Sequence, residues 1–119
     1  MMNNREIDRL IAEKVMEWEV IEYKNINTTV IDDGEFPYEI EEFKPSKDMA
    51  DAWEVVEKLR KFRAFSIHDA WDEEDNLIYS ARFLYADGAH VIEYQAYDKT
   101  APLAICKAAL KSVGVEVKQ

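Results

Sequence analysis

Two alternating runs, Leu77 to Ala86 and Ala89 to Tyr97, are separated only by Asp87 and Gly88, and this constrains the chain more than any other feature. An Asp-Gly pair between such runs favours a two-residue type I′ hairpin turn, and the turn decides which residues face each other. The expected register sets Phe83 opposite Ile92, Ala81 opposite Tyr94, Tyr79 opposite Ala96 and Tyr85 opposite His90, all on one apolar face. On the reverse face Arg82 meets Glu93 and Ser80 meets Gln95, with Leu84/Val91 and Ile78/Tyr97 toward the ends, so the middle of that face is polar. A slip of one residue would scatter both sets, so turn chemistry and cross-strand pairing support the same assignment. Residues 62–68 read as a third strand beside the hairpin 77–86/89–97.

Three amphipathic helices complete the pattern, at about 4–17, 47–61 and 101–113. Asn3 or Asn4 can cap the first, because a short side-chain oxygen accepts a bond from an unpaired first-turn amide. Ile7, Leu10, Ile11, Val15 and Trp18 follow at helical spacing. Pro45 and Ser46 mark the start of the second, whose stripe is Met49, Ala52, Trp53, Val56 and Leu59. Glu54 with Lys58 and Glu57 with Lys61 decorate its solvated side. Thr100 caps the third, Pro102 is tolerated in its first turn, and Gly114 lies where a left-handed stop is common. Leu103, Cys106, Leu110 and Val113 form its stripe. Between the first two helices, Val20 to Tyr23 and Thr28 to Ile31 are short extended pieces. Asp32 to Glu42 holds six acids and no base, and reads as a loop ending in an edge strand, Tyr38 to Phe43.

The elements suit one α+β domain spanning 1–119, since a chain of 119 residues with 48% hydrophobic content can bury one core and not two. A net charge of -10 would repel phosphate backbones and anionic lipid, so neither direct nucleic-acid binding nor membrane association is expected. The lone Cys106 cannot make an intramolecular disulfide and fits a reducing cytoplasm. No segment approaches the ~20 apolar residues of a membrane span.

The runs Arg5–Trp18 (REIDRLIAEKVMEW), Phe43–Leu59 (FKPSKDMADAWEVVEKL) and Thr100–Val115 (TAPLAICKAALKSVGV) together cover nearly half the chain. In combination they resemble the phage ABA-sandwich domain, a family of small proteins encoded by phages and prophages of Gram-positive bacteria. The resemblance implies an α/β/α layered fold, a phage or prophage origin and residence in the host bacterial cytoplasm. It implies no reaction, and it assigns no catalytic residue to these positions. Two departures stand out. The first block usually reads MGW where this chain has Met16, Glu17 and Trp18, and the second often resembles PFNPST where Glu42 to Lys47 stand here. Glu17 in place of Gly suggests a backbone that needs no left-handed residue there. Helices over both sheet faces conflict with the polar face of the hairpin. Either its polar groups pair internally, or the second layer is incomplete and leaves a polar groove.

Candidate chemistry is sparse. Cys106 could serve as nucleophile with His90 as base, but a thiol on a helical apolar stripe is ordinarily a small buried hydrophobe. His68, Asp69, Asp72, Glu73, Glu74 and Asp75 crowd the connection before the hairpin without the spacing of an EF-hand or any other metal motif. Neither a phosphate-cradling Gly-rich loop nor GxSxG or HExxH occurs, so no catalytic residue, metal or cofactor is expected. The expected role is a non-enzymatic phage or prophage accessory protein that binds a phage or host protein. Its candidate interaction surface is Trp71, Asp72, Glu73, Glu74 and Asp75 with Arg82 and Glu93. The rival readings are an acidic inhibitor that mimics nucleic acid, using Asp32–Glu42 and Asp69–Asp75, and a small metal-dependent enzyme. Homo-oligomerisation stays open, because tyrosines on a small sheet leave an apolar patch while the net charge opposes non-specific association.

Overall fold

The computed structural model describes residues 2–117. In chain order the elements are α1 (Asn4–Leu10), continued by a π-helical turn (Ile11–Val15), then β1 (Glu19–Tyr23), β2 (Thr28–Asp32), β3 (Pro37–Glu39), α2 (Met49–Leu59), β4 (Ala64–Trp71), β5 (Leu77–Asp87), β6 (His90–Asp98) and α3 (Ala101–Ser112). The fold is an α+β sandwich. Its strands form two antiparallel three-stranded sheets, ordered β1-β2-β3 and β4-β5-β6, where the sequence had suggested a single small sheet.

The larger sheet is built on the expected hairpin, with a corrected register. Asp87 pairs with His90, Tyr85 with Ile92, Phe83 with Tyr94, Ala81 with Ala96 and Tyr79 with Asp98. The turn is therefore Gly88-Ala89 and not Asp87-Gly88. Gly88 has φ +61 while neither Asp87 nor Ala89 has positive φ. These are the signs of a type II′ turn, which needs glycine only at its first central position. The two-residue slip leaves every side chain on its expected face, because side chains alternate with period two. The third strand starts and ends later than expected, at 64–71, and pairs with β5 from Ala64↔Leu84 to Trp71↔Leu77.

One face of this sheet is core. Ala81 and Phe83 are fully buried, and Phe65, Ile67 and Ala96 pack against the same cluster. Rings carry the contact onward: Phe83 lies 5.1 Å from Phe65, which lies 6.0 Å from Trp53 of α2. α3 packs on β5 and β6, and also against α2 and the π-helical turn. Neighbours on several sides explain why Ala104, Ile105, Cys106, Ala108, Ala109 and Leu110 are all fully buried. Small residues at Ala104 and Ala108 let these elements approach closely. Thr100 caps α3 as expected and Gly114, at φ +84, follows its end.

The first helix is shorter than expected. Asn3 caps it through Glu6 N–H at 2.9 Å, and regular α geometry gives way at Ile11 to wider turns, with Met16 N–H donating to Ile11 O. The chain then leaves through Glu17 at φ +61. This corrects the expectation drawn from Glu17: the position is left-handed although its residue carries a Cβ. α2 also begins later, at Met49, because Asp48 and not Ser46 is its cap, accepting from Ala50 N–H and Asp51 N–H. Its surface ion pair is Glu57 with Arg60 at 3.5 Å, in place of the expected i,i+4 pairs. Met49 and Trp53 sit at the exposed margin of the stripe, and Val55 joins its buried centre.

The extended pieces expected at 20–23 and 28–31 form β1 and β2 of the smaller sheet, and the acidic stretch supplies β3. Val20↔Ile31 and Ile21↔Val30 join β1 to β2, and Ile31↔Tyr38 joins β2 to β3. The expected edge strand 38–43 is reduced to Pro37–Glu39, followed by a single 3-10 turn at Ile40–Glu42. Trp18 ties this sheet to the helices, with its ring 4.9 Å from Phe43 and 6.2 Å from Tyr38. Burial, reinforced by the Asp33 and Glu54 charges, pushes the Tyr38 hydroxyl up to about 12.

Candidate functional site

The face of the larger sheet turned away from α3 carries Ser66, His68 and Ala70 from β4, Ile78, Ser80, Arg82 and Leu84 from β5, and Val91, Glu93, Gln95 and Tyr97 from β6. Its polar middle pairs internally. Arg82 Nε donates to Ser66 Oγ at 3.2 Å, and Gln95 Nε2 donates to Ser80 Oγ at 2.7 Å. Arg82 also lies 3.7 Å from the Glu93 carboxylate. The corrected register places Arg82 directly opposite Gln95 and Glu93 opposite Leu84, so Arg82–Glu93 and Ser80–Gln95 are diagonal neighbours, still within reach of long side chains. Both alternatives left open by the sequence hold: the polar groups pair internally, and the layer over this face is incomplete. The polar groups satisfy one another, and around them Val91 and Tyr97 stand 68% and 52% exposed.

Trp71 and the acidic turn lie elsewhere. Trp71 ends β4 instead of sitting in the connection, and its ring side is the α3 side of the sheet, where it pairs across the ladder with Leu77. Asp72 Oδ1 accepts from Glu74 N–H and Asn76 N–H at 2.8 and 2.9 Å, and its Oδ2 accepts from Asn76 Nδ2. The backbone bond from Asn76 holds the Asp72 carboxyl below the usual aspartate range. Asp75, at φ +63, closes the turn, and Glu73, Glu74 and Asp75 face solvent. Thus the candidate surface divides in two: Trp71 with Asp72–Asp75 at one end of the sheet, and Arg82 with Glu93 in the middle of its opposite face.

The remaining sequence candidates separate as well. Cys106 is fully enclosed in α3, and burial, with the Asp8 charge second, pushes its thiol well above the ordinary range. His90 stands exposed at the hairpin tip, opposite Asp87. His68 lies within β4, its Nδ1 3.1 Å from Asp69 O. Among the described residues no group of three His, Cys, Asp or Glu side chains is arranged to hold a metal ion.

The sequence reading missed a buried polar tie. Asp8, on the inner side of α1, is only 5% exposed, and its Oδ1 accepts from Ser46 N–H at 2.8 Å. Ser46 Oγ donates to Asn4 O at 3.4 Å. Burial raises the Asp8 carboxyl above its ordinary value, more than the Ser46 bonds and the Lys47 charge lower it. The available signal was an acid flanked by Ile7 and Ile11 on the core side of an amphipathic helix. The tie closes residues 44–48 against α1 beside a small cleft of about 180 Å³, lined by Arg5, Glu41, Lys44 and Lys47 among others. A wider cleft of about 430 Å³ lies between β6, the last turns of α3 and Gly114–Val117. Lys111 Nζ bonds Gln95 O at 3.2 Å there, and Lys107 Nζ bonds Asp98 Oδ2 at 2.5 Å. Both lysines on this wall are committed to the fold.

No described helix is long and apolar enough to cross a membrane. The family model of the phage ABA sandwich domain matches residues 9–110, which span every element from the end of α1 to most of α3. No curated protein and no solved structure matches the chain.

Proposed function

The chain belongs to the phage ABA sandwich domain family, and from that membership we propose that it is a phage or prophage accessory protein, non-enzymatic, that binds another protein in the host bacterial cytoplasm. One observation carries the reading. The helix-free face of the larger sheet combines a self-satisfied polar centre with exposed apolar side chains at Val91 and Tyr97. Pre-paired polar groups need no new partners when a surface is covered, and exposed apolar flanks gain from being covered, so such a face is suited to docking a protein. The rival reading, mimicry of nucleic acid by the acidic stretches, has weaker support. Asp32, Asp33 and Asp72 each accept bonds from backbone amides of their own turns and are engaged in the fold.

The test is affinity capture with the full chain from phage-infected host cells, beside a Val91→Glu/Tyr97→Glu variant and a control carrying Glu19→Lys on the smaller sheet. A protein retained by wild type and control but lost from the double variant supports the reading. Equal retention by all three, or retention of nothing, overturns it.

A further inference from the structure

We propose that the outer edge of β4 is a self-association surface, on which β4 of a second copy pairs antiparallel about a two-fold axis. β4 is an edge strand of the sheet order β4-β5-β6, eight residues long, AFSIHDAW. Edge strands that must stay single are ordinarily blunted by charge, lysine above all, by proline, a bulge or a covering element. β4 has neither lysine nor proline, its one charged side chain, Asp69, is exposed to solvent, its pairing with β5 runs without a bulge from Ala64 to Trp71, and among the described residues no further strand pairs along its outer side. Its outward amides and carbonyls are therefore a template of full strand length.

The occupant is argued from the two ends of the strand, which carry opposite chemistry. Before β4, Arg60, Lys61 and Arg63 surround Phe62, which is 71% exposed. With Trp53 and Phe65 they line an open hollow of about 640 Å³. After β4, Trp71 is 68% exposed and is followed by Asp72, Glu73, Glu74 and Asp75. Antiparallel pairing brings the start of one strand beside the end of the other, so the basic aromatic hollow of each copy meets the tryptophan and acidic turn of its partner. The contact is isologous, and the match occurs twice.

Register follows from the pleat. Residues directly opposite in an antiparallel ladder share a face, so two copies of one strand in a continuous sheet must pair odd with odd and even with even. Pairing centred on His68 meets this condition. It sets Trp71 of one copy opposite Phe65 of the other, on the face where Phe65 already touches Trp53 and Phe83. It also lays the acidic turn beside Arg60–Arg63. The result is one six-stranded sheet.

Light scattering and sedimentation of the full chain test this. In about 50 mM salt the wild type should approach twice the 13.9 kDa chain mass as concentration rises, and should weaken as added salt screens the charged ends. Trp71→Ala should raise the dimer Kd about tenfold or more, as removal of a buried aromatic anchor does. Lys61→Glu and Glu73→Lys should each raise it about tenfold, since the symmetry counts each reversal twice, while the two together should return it to within about threefold of wild type. Glu19→Lys serves as the charge control and should leave it unchanged, and circular dichroism confirms that each variant is folded. A wild type that stays monomeric to about 1 mM overturns the proposal. So does a dimer indifferent to Trp71→Ala, or one that the charge exchange does not restore.

Discussion

Replacing Glu17 with glycine should stabilise this protein. Glu17 ends the first helical segment at φ +61, a conformation in which a Cβ crowds the following carbonyl and costs roughly 1–2 kcal/mol. Its position is enforced from both sides, since Met16 N–H bonds Ile11 O and Trp18 N–H bonds Ala12 O, each at 2.9 Å. Trp18 must also reach Phe43 and Tyr38. The side chain itself is exposed and makes no ion pair or hydrogen bond among the described residues, so little is lost with it. Against the relief stands the greater freedom of glycine in the unfolded chain, about 0.4–1 kcal/mol. The net gain is about 0.5–1 kcal/mol, or roughly 2–5 °C in Tm for a domain of this size. Urea unfolding of wild type, Glu17→Gly and Glu17→Ala measures it. Alanine keeps the Cβ and should gain nothing, so equal stability of the alanine and glycine variants, or a glycine variant no more stable than wild type, would refute the reasoning.

Asp8→Ala removes the acceptor of the buried Ser46 N–H and should cost about 1–3 kcal/mol, whereas Asp8→Asn keeps an acceptor oxygen. Because burial raises the Asp8 carboxyl, its contribution is fully present below the unfolded aspartate value of about 3.9 and is lost as pH rises through the raised folded value. Denaturant titrations across that range should show this component in wild type and not in Asp8→Asn. Phe83→Ala, which empties a fully buried ring site between sheet and helices, should cost about 3–5 kcal/mol in the same assay. The Cys106 thiol, enclosed and held protonated, should react with a thiol reagent only as fast as the protein opens. Stoichiometric labelling of the native protein within seconds would contradict the burial.

The features legible in the sequence were those set by strong local chemistry. Periodicity and capping located three helices at Asn3, Thr100 and the 49–59 stripe, and alternation located β5 and β6. The register was missed by two residues because Asp-Gly favours type I′ only if Asp87 accepts positive φ, whereas here Gly88 supplies the single positive φ of a type II′ turn. The strands of the smaller sheet were legible as extended pieces at 20–23 and 28–31 and an edge strand from Tyr38, but their pairing into a second sheet was not, because strands of five, five and three residues carry too little periodic signal to fix partners. Glu17 was misjudged because residue type argues against a left-handed backbone, while the wide turn before it is a tertiary effect. The candidate surface was only half legible. Composition marks Trp71 and the acids beside it, but which face Arg82 occupies relative to Trp71 depends on strand parity in the folded sheet. Asp8 and Ser46, 38 positions apart, meet only through packing.

The two sheets share no backbone ladder, and this has a consequence for how the molecule breathes. Each set of strands can lose its amide protection without tearing the other, provided the helical layer holds. The short strands near the amino terminus, which enter the common core through Ile31 with Val20, Tyr38 and the Trp18 ring packed beside it, form the more readily detached flap. In the long hairpin the centre around Ser80, Ala81 and Phe83, buried beside the alanine-rich helix, should hold its protons longest, while the exposed tip at 85–93 gives them up sooner.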